Sequence, residues 1–343
     1  MNKMKAPFQV PAHLHATAPV EYRQGERDNV RLMVLDPLTG QRKHTNFHDI
    51  MNIFQAGDVL VLNQSRTIPS SLHATGTRGD VEVRLARKID EHRFEVLLLG
   101  TTYEEGDQIY FQNGFFATVE GNGNEYPLQV VNFKLSGVSL MEFIYEYGSP
   151  IYYEYINDPW PLNKYQTVYS STPGSIEMTS AGRAFTWGML SSLVKKGVHL
   201  CYVTLHTSLS YYGNNKWPTP SNHPELYSIP RETVDTINDA KAEGRKVIAV
   251  GTTVVRALES AVIEGHLTQQ NSVLTDLYIN GNYSLKITDA LLTGFHEPEA
   301  SHLDLLKAFI DEAVLLEAYN EALKQEYLWH EFGDMNLIIT GAS

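Results

Sequence analysis

Two periods organise the apolar positions of the chain. Residues 246–250, KVIAV, form a short run rich in β-branched side chains, which predicts a buried strand. Gly251-Thr252-Thr253 then predicts a tight turn. Beyond it Val255, Leu258 and Val262 recur at helical spacing as far as Gly265, a natural stop. Strand, turn and helix make half of a βαβ unit. A hydroxyl of Thr252 or Thr253 can cap the helix, and the free N–H groups at its start offer a place for an anion. The same patterning predicts a hairpin around PLTG at 37–40, a short helix ending at Gly57 and a strand over 58–63. Further on it predicts helices over 139–148, 183–197 and 231–243, a strand over 198–207 and further strands in LTDLYI and SLKITDALLTG. Two closing helices within 301–327 and a last strand, MNLIIT, complete the series. On the helix of 183–197, Phe185, Met189, Leu193 and Val194 share one face.

Between about residues 70 and 135 the texture changes. DVEVRLARK, RFEVLLL, DQIYF, FFATVE and YPLQVVNFKL alternate apolar with polar and are separated by Gly-, Asp- and Asn-rich turns. No helical period appears there, so the segment reads as an inserted small antiparallel β-barrel. The expected fold class is α/β: a mixed, partly parallel sheet covered by helices, with the barrel inserted. The main domain takes residues 1–65 and 139–343 and the barrel residues 66–138. The aromatic, Pro-containing stretch SPIYYEYINDPWP reads as a surface loop or binding lip. The Ser/Thr/Gly-rich stretch that follows is too long for a simple connection, which marks it as functional.

At 343 residues the chain is comfortable for two domains. It has no run of about 18 apolar residues, so no membrane span is expected. Residues 1–14 lack the apolar centre of a secretory signal, and a cytoplasmic location is expected. Cys201, the only cysteine, excludes an internal disulfide and a multi-cysteine zinc site, and it reads as a core thiol. The net charge of −13 argues against a general nucleic-acid-coating protein but leaves room for a local basic face. The acidic region 297–334 should point away from any polyanion, and an acidic cleft without Lys or Arg would argue against tRNA.

In open α/β sheets ligands lie at the carboxyl ends of strands. Asn63, His206, Thr252 and His296 all fall at such ends, which predicts one shared cleft. His206 and His296 are proton-transfer candidates, or else hydrogen-bonded structural histidines. Arg256 and Glu259, spaced i, i+3, form either a helix-surface ion pair or an anion-binding Arg oriented by Glu259. His13 and His15 form an HxH, but no carboxylate or cysteine lies near enough in sequence to complete a metal site, and none is expected. No Walker motif, G-x-G-x-x-G or G-x-S-x-G is present.

NQSRTIP at 63–69, YQTVY at 165–169, GSIEMTSAGRAFT at 174–186, VTLH at 203–206, VIAVGTTVVRALE at 247–259, TDLYI, TGFHEP at 293–298 and FGDMNLI occur in this order. The whole resembles the S-adenosylmethionine:tRNA ribosyltransferase-isomerases of queuosine synthesis, nearly end to end. The VIAVGTT-x-VRALE block is the most specific part. The resemblance implies transfer of the ribosyl part of S-adenosylmethionine to the aminomethyl group of a deazaguanine at the tRNA wobble position. The ribose rearranges to an epoxycyclopentane, and adenine and methionine are released. S-adenosylmethionine would be a substrate and tRNA the acceptor, with no bound cofactor and a monomer favoured. The sulfonium acidifies the adjacent ribose carbon, so a general base is needed, and adenine leaves better when protonated, so a general acid is needed. His206 and His296 match family positions for those roles. Asn63, Arg66, Gly174, Ser175, Gly182, Thr252, Thr253, Arg256 and Glu259 are the implied substrate- or tRNA-binding positions.

The chain departs from the family pattern mainly in loops expected around the cleft. Gln64 stands where the family has Asp, Ala184 where it has His, and Gly294 where it has Asn. Residues 151–155 differ, and so do residues 207–212 except Leu209. Glu297, Glu299 and Asp304 put acid where the family is neutral or basic. Two alternatives therefore stand beside the family activity: a diverged paralogue acting on a different acceptor, and a non-catalytic protein that binds an adenosyl ligand or tRNA.

Overall fold

A computed structural model describes residues 7–23 and 25–341; the start of the stretch read for a targeting signal lies outside them. Nine strands form one mixed sheet. Its order is Gln270–Thr275, Glu225–Ile229, His199–Leu205, Val59–Asn63, Val247–Val250, Ala290–Gly294, Met335–Ile338, Arg31–Leu35 and Arg42–Asn46. The four strands from His199–Leu205 to Ala290–Gly294 run parallel. Antiparallel strands flank them, including the hairpin expected around PLTG.

The central strands are continuously apolar because both their faces are covered. Along Val59–Asn63, Val59 and Val61 pack with Val234, Ile237, Val255, Leu258 and Leu315 from the helices on one face. Leu60 and Leu62 pack with Ile50, Met189, Leu190 and Leu193 on the other. Val247 and Ala249 against Ile248 and Val250 divide in the same way. Thr186 caps the helix Trp187–Lys196 by accepting from Met189 N at 3.2 Å. Phe185 therefore precedes that helix, and Val194, expected inward, is 52% exposed.

A closed antiparallel barrel has the order Gln129–Phe133, Arg93–Leu99, Gly79–Lys88, Ser71–Gly76, Gln108–Tyr110 and Phe116–Asn122. Inward residues such as Val83, Val96, Ala117 and Val131 fill it. The strand Ser71–Gly76, with its short polar sequence SLHATG, carried no strong alternation and was not among the expected runs. No helix among the described residues is long and apolar enough to cross a membrane.

Three local expectations are corrected. The helix after Gly251 is Thr252–Ser260 and stops before Val262. Val262–Ile263 pairs instead with His266–Leu267, because Glu264 and Gly265, both at positive φ, close a hairpin turn that suits β-branched flanks. No threonine hydroxyl caps that helix, so its first N–H groups have no side-chain cap. The strand expected in LTDLYI, residues 274–279, lies earlier, at Gln270–Thr275, and the one expected in SLKITDALLTG shortens to Ala290–Gly294. Between them Glu259 takes the N–H groups of Lys286, Ile287 and Thr288, which a ladder would otherwise need.

Candidate active site

The parallel strands end along one edge, and a cavity of about 940 Å³ opens there. Thr252, Thr253 and Arg256 line it from the helix start, and Thr293 and His296 from the loop after Ala290–Gly294. Gly251, at φ +94 and ψ 153, turns the chain from strand into helix in a conformation that residues with a Cβ avoid.

Asn63 is 1% exposed and lies behind the cavity wall rather than on it. Its amide donates to Leu205 O at 2.9 Å and Thr253 Oγ1 at 3.2 Å, and accepts from Ser65 N and Leu205 N. It thereby splices two strand ends and holds the Thr253 hydroxyl. Arg256 is oriented by Glu225, not by Glu259: its guanidinium pairs with the Glu225 carboxylate and donates to Leu277 O at 3.1 Å. Glu259, 3% exposed, is consumed by the three backbone N–H groups named above and by the Thr288 hydroxyl. The i, i+3 pairing fails because each side chain has a better-placed partner across the fold.

His296 lines the cavity, with Nε2 2.8 Å from Thr293 Oγ1 and its ring stacked on His302 at 5.1 Å. Burial, then His302 and His330, hold its pKa well below the usual histidine value. His206 does not line the cavity. Its Nδ1 lies 2.7 Å from Ser65 Oγ, which in turn meets Ser175 Oγ at 2.6 Å. A Cβ on Gly174 would fall 2.6 Å from the His206 ring, so glycine is what lets the loop pack there. Burial, then the Lys88 charge, lowers the His206 pKa. Arg66 reaches Ser170 O at 3.4 Å, and Gly182 sits in a 3-10 turn against the Tyr169 hydroxyl; neither lines the cavity.

The remaining wall comes from residues outside the predicted catalytic and binding positions. Tyr153 donates to Glu177, and Tyr155 donates to Glu331 at 2.6 Å. The rings of His15 and His330 are nearly parallel with centroids 4.7 Å apart, and Tyr155 stacks on His330 at 3.9 Å. The aromatic stretch read as a lip is thus partly a buried wall, with Tyr153 only 8% exposed. Burial pushes Glu331 up to about 7, and burial, then Glu299, does the same to Glu297. The acidic region expected to face away in fact lends Glu297, Glu299 and Glu331 to the cavity. The isolated HxH gave no hint of this, because His330 and Glu297 are remote from His15 in sequence.

The sequence model of the queuosine biosynthesis protein family matches residues 4–338. An S-adenosylmethionine:tRNA ribosyltransferase-isomerase of Acetivibrio thermocellus is 36% identical over 96% of this chain and 98% of its own length. That of Thermotoga maritima is 34% identical over 97% and 98%. The chain belongs to the queuosine biosynthesis family. The crystal structure of the S-adenosylmethionine tRNA ribosyltransferase from Thermotoga maritima has the same fold, with a TM-score of 0.56 and 29% identity, covering 97% of this chain and 99% of that one.

The positions read from sequence as departures from the pattern of the queuosine biosynthesis family divide in two. Tyr153, Tyr155, Thr207, Ser208, Gly294 and Glu297 line the cavity. Gln64, Ala184 and Asp304 do not: Gln64 donates to Thr204 Oγ1 at 3.3 Å, Ala184 is buried, and Asp304 accepts from Tyr278.

Proposed function

We propose that this chain transfers and isomerises the ribosyl moiety of S-adenosylmethionine onto the 7-aminomethyl-7-deazaguanine of tRNA, yielding epoxyqueuosine, adenine and methionine. The full-length likeness to enzymes of that name carries the reading. S-adenosylmethionine enters as a substrate, and the transfer as written calls for no resident cofactor. A carboxylate-rich cavity suits a sulfonium cation by simple Coulomb attraction. His296, on the lining and hydrogen-bonded to Thr293, is the proton-transfer residue. His206, screened behind Ser65 and Gly174, positions the loop that carries Ser175. Action on tRNA carries a cytoplasmic location with it. The test mixes the protein with S-adenosylmethionine and tRNA bearing the aminomethyl-deazaguanine. Adenine release with modified tRNA is expected, and no adenine above background rejects the reading.

One observation favours a second reading, a paralogue acting on a different acceptor. Glu154, Glu177, Glu225, Glu297, Glu299 and Glu331 line the cavity, while Arg256 is its one Lys or Arg among the described residues and is already paired. Such a lining repels phosphates within the screening distance of about 8–10 Å. Adenine release that needs a small amine rather than tRNA would select this reading.

A further inference from the structure

His15, Glu297 and His330 come from three segments far apart in the chain and converge on the cavity. His15 Nδ1 and His330 Nε2 point at each other, and a Glu297 carboxylate oxygen lies 3.6 Å from His330 Nε2. One ligand atom from each residue lies within 4.8 Å of the other two. We propose that these three side chains form a binding site for a divalent first-row transition metal ion, with zinc as the natural probe.

The donor set selects the class of ion. Two imidazoles and one carboxylate suit Zn²⁺ and its first-row neighbours, whereas Mg²⁺ and Ca²⁺ take oxygen ligands. The two facing ring nitrogens and the Glu297 oxygen would supply its three protein donors. Three protein donors leave a position toward the cavity for an oxygen or nitrogen of a bound molecule. The positive charge also offsets part of the Glu-rich lining.

The scaffold holds these groups before any ion arrives. Trp329 N donates to Leu14 O at 2.9 Å and Ala16 N to Trp329 O at 3.2 Å, which ties the backbones carrying His15 and His330 together. Leu14 and Trp329, 2% and 0% exposed, anchor that bridge in the core. The Asp334 carboxylate accepts from Leu328 N at 2.8 Å, and Asp334 N donates to Leu328 O at 2.8 Å. This closes the turn that keeps His330 at φ 74, a region uncommon for a residue with a side chain. Tyr155, nearly parallel to both rings, fixes their planes. Outer partners that orient ligand imidazoles in this way are a regular part of metal sites.

Metal binding here does not require the proposed ribosyl transfer, so its test omits S-adenosylmethionine and tRNA. Chelator-treated protein is titrated with Co²⁺, read by visible absorption, and with Zn²⁺, read by calorimetry. One equivalent of each is expected, with Zn²⁺ displacing the Co²⁺ band. His15→Ala and His330→Ala should weaken binding at least tenfold, and the exposed neighbour variant His13→Ala should not. Glu297→Gln, a near-isosteric change on a loop, should alter the Co²⁺ spectrum and weaken binding even if the histidine variants fold poorly. No saturable band, loss of binding in His13→Ala, or an unchanged spectrum and affinity in Glu297→Gln would each overturn the site.

Discussion

The helix-start wall of the cavity and the tyrosine–histidine wall use their polar groups differently. Around Thr252–Ser260 the polar side chains face each other and the backbone: Asn63 holds Thr253, Glu225 holds Arg256, and Glu259 clamps residues 286–288. In the wall of His15, Tyr153, Tyr155, His330 and Glu331, stacked rings and tyrosine-bound carboxylates line the cavity itself. The block at 247–259 is therefore mainly a positioning device. Groups able to meet a ligand cluster on the second wall and on the loop that carries His296. A buried carboxylate satisfied by several N–H groups belongs to the scaffold, and an imidazole on a cavity lining is free for chemistry.

The largest expected effect tests the scaffold side. Glu259→Ala strands three backbone N–H groups, two of them on buried residues, and should cost about 3 kcal/mol or more of stability, read from urea unfolding. A loss confined to activity would show that Glu259 serves the ligand instead. Next, His296→Ala should lower turnover in the ribosyl-transfer assay about 10²-fold or more, and His206→Ala less than tenfold. The reverse order would break the assignment of the lining histidine to proton transfer. Gly251→Ala forces a Cβ into a glycine-only conformation 3.2 Å from Ala181 and should cost about 1–3 kcal/mol in thermal or chemical unfolding.

The smallest effect concerns the contact between barrel and main domain. Burial raises the pKa of Glu125, but hydrogen bonds from Thr219 N, His223 and Asn222 overcome it and hold the carboxyl down at about 2. Its folded value is depressed below the ordinary 4.5, so its stabilisation is full above pH 4.5 and is lost as pH falls toward 2. Glu125→Gln should cost about 1 kcal/mol at pH 7, allowing for screening, and the gap from the parent should narrow steadily below pH 4.5 in unfolding measurements. A gap independent of pH would assign the effect to packing instead.

Sequence periodicity foretold the layers because burial repeats locally. Val59 to Leu62 alternate between two helix-covered faces, and that alternation is written in four consecutive residues. The barrel was legible for the same reason, except at Ser71–Gly76, where polar residues hide the strand. Strand ends were legible too, which brought Thr252, Thr253, Arg256 and His296 to one cavity. His206 and Asn63 share that edge yet lie behind it, since a strand end fixes a position along the sheet but not the direction of a side chain.

By itself, then, the sequence determined the mixed sheet with its inserted barrel and the family to which the chain belongs, because both rest on local pattern and ordered motifs. Only the tertiary structure decided which polar group meets which. Arg256 left Glu259, three positions further along its own helix, for Glu225 on a neighbouring strand. His15 met His330 across a separation of 315 residues. Hydrogen-bond and ligand geometry is satisfied within a few ångströms in space, whatever the distance along the chain, and that distance is all a sequence records.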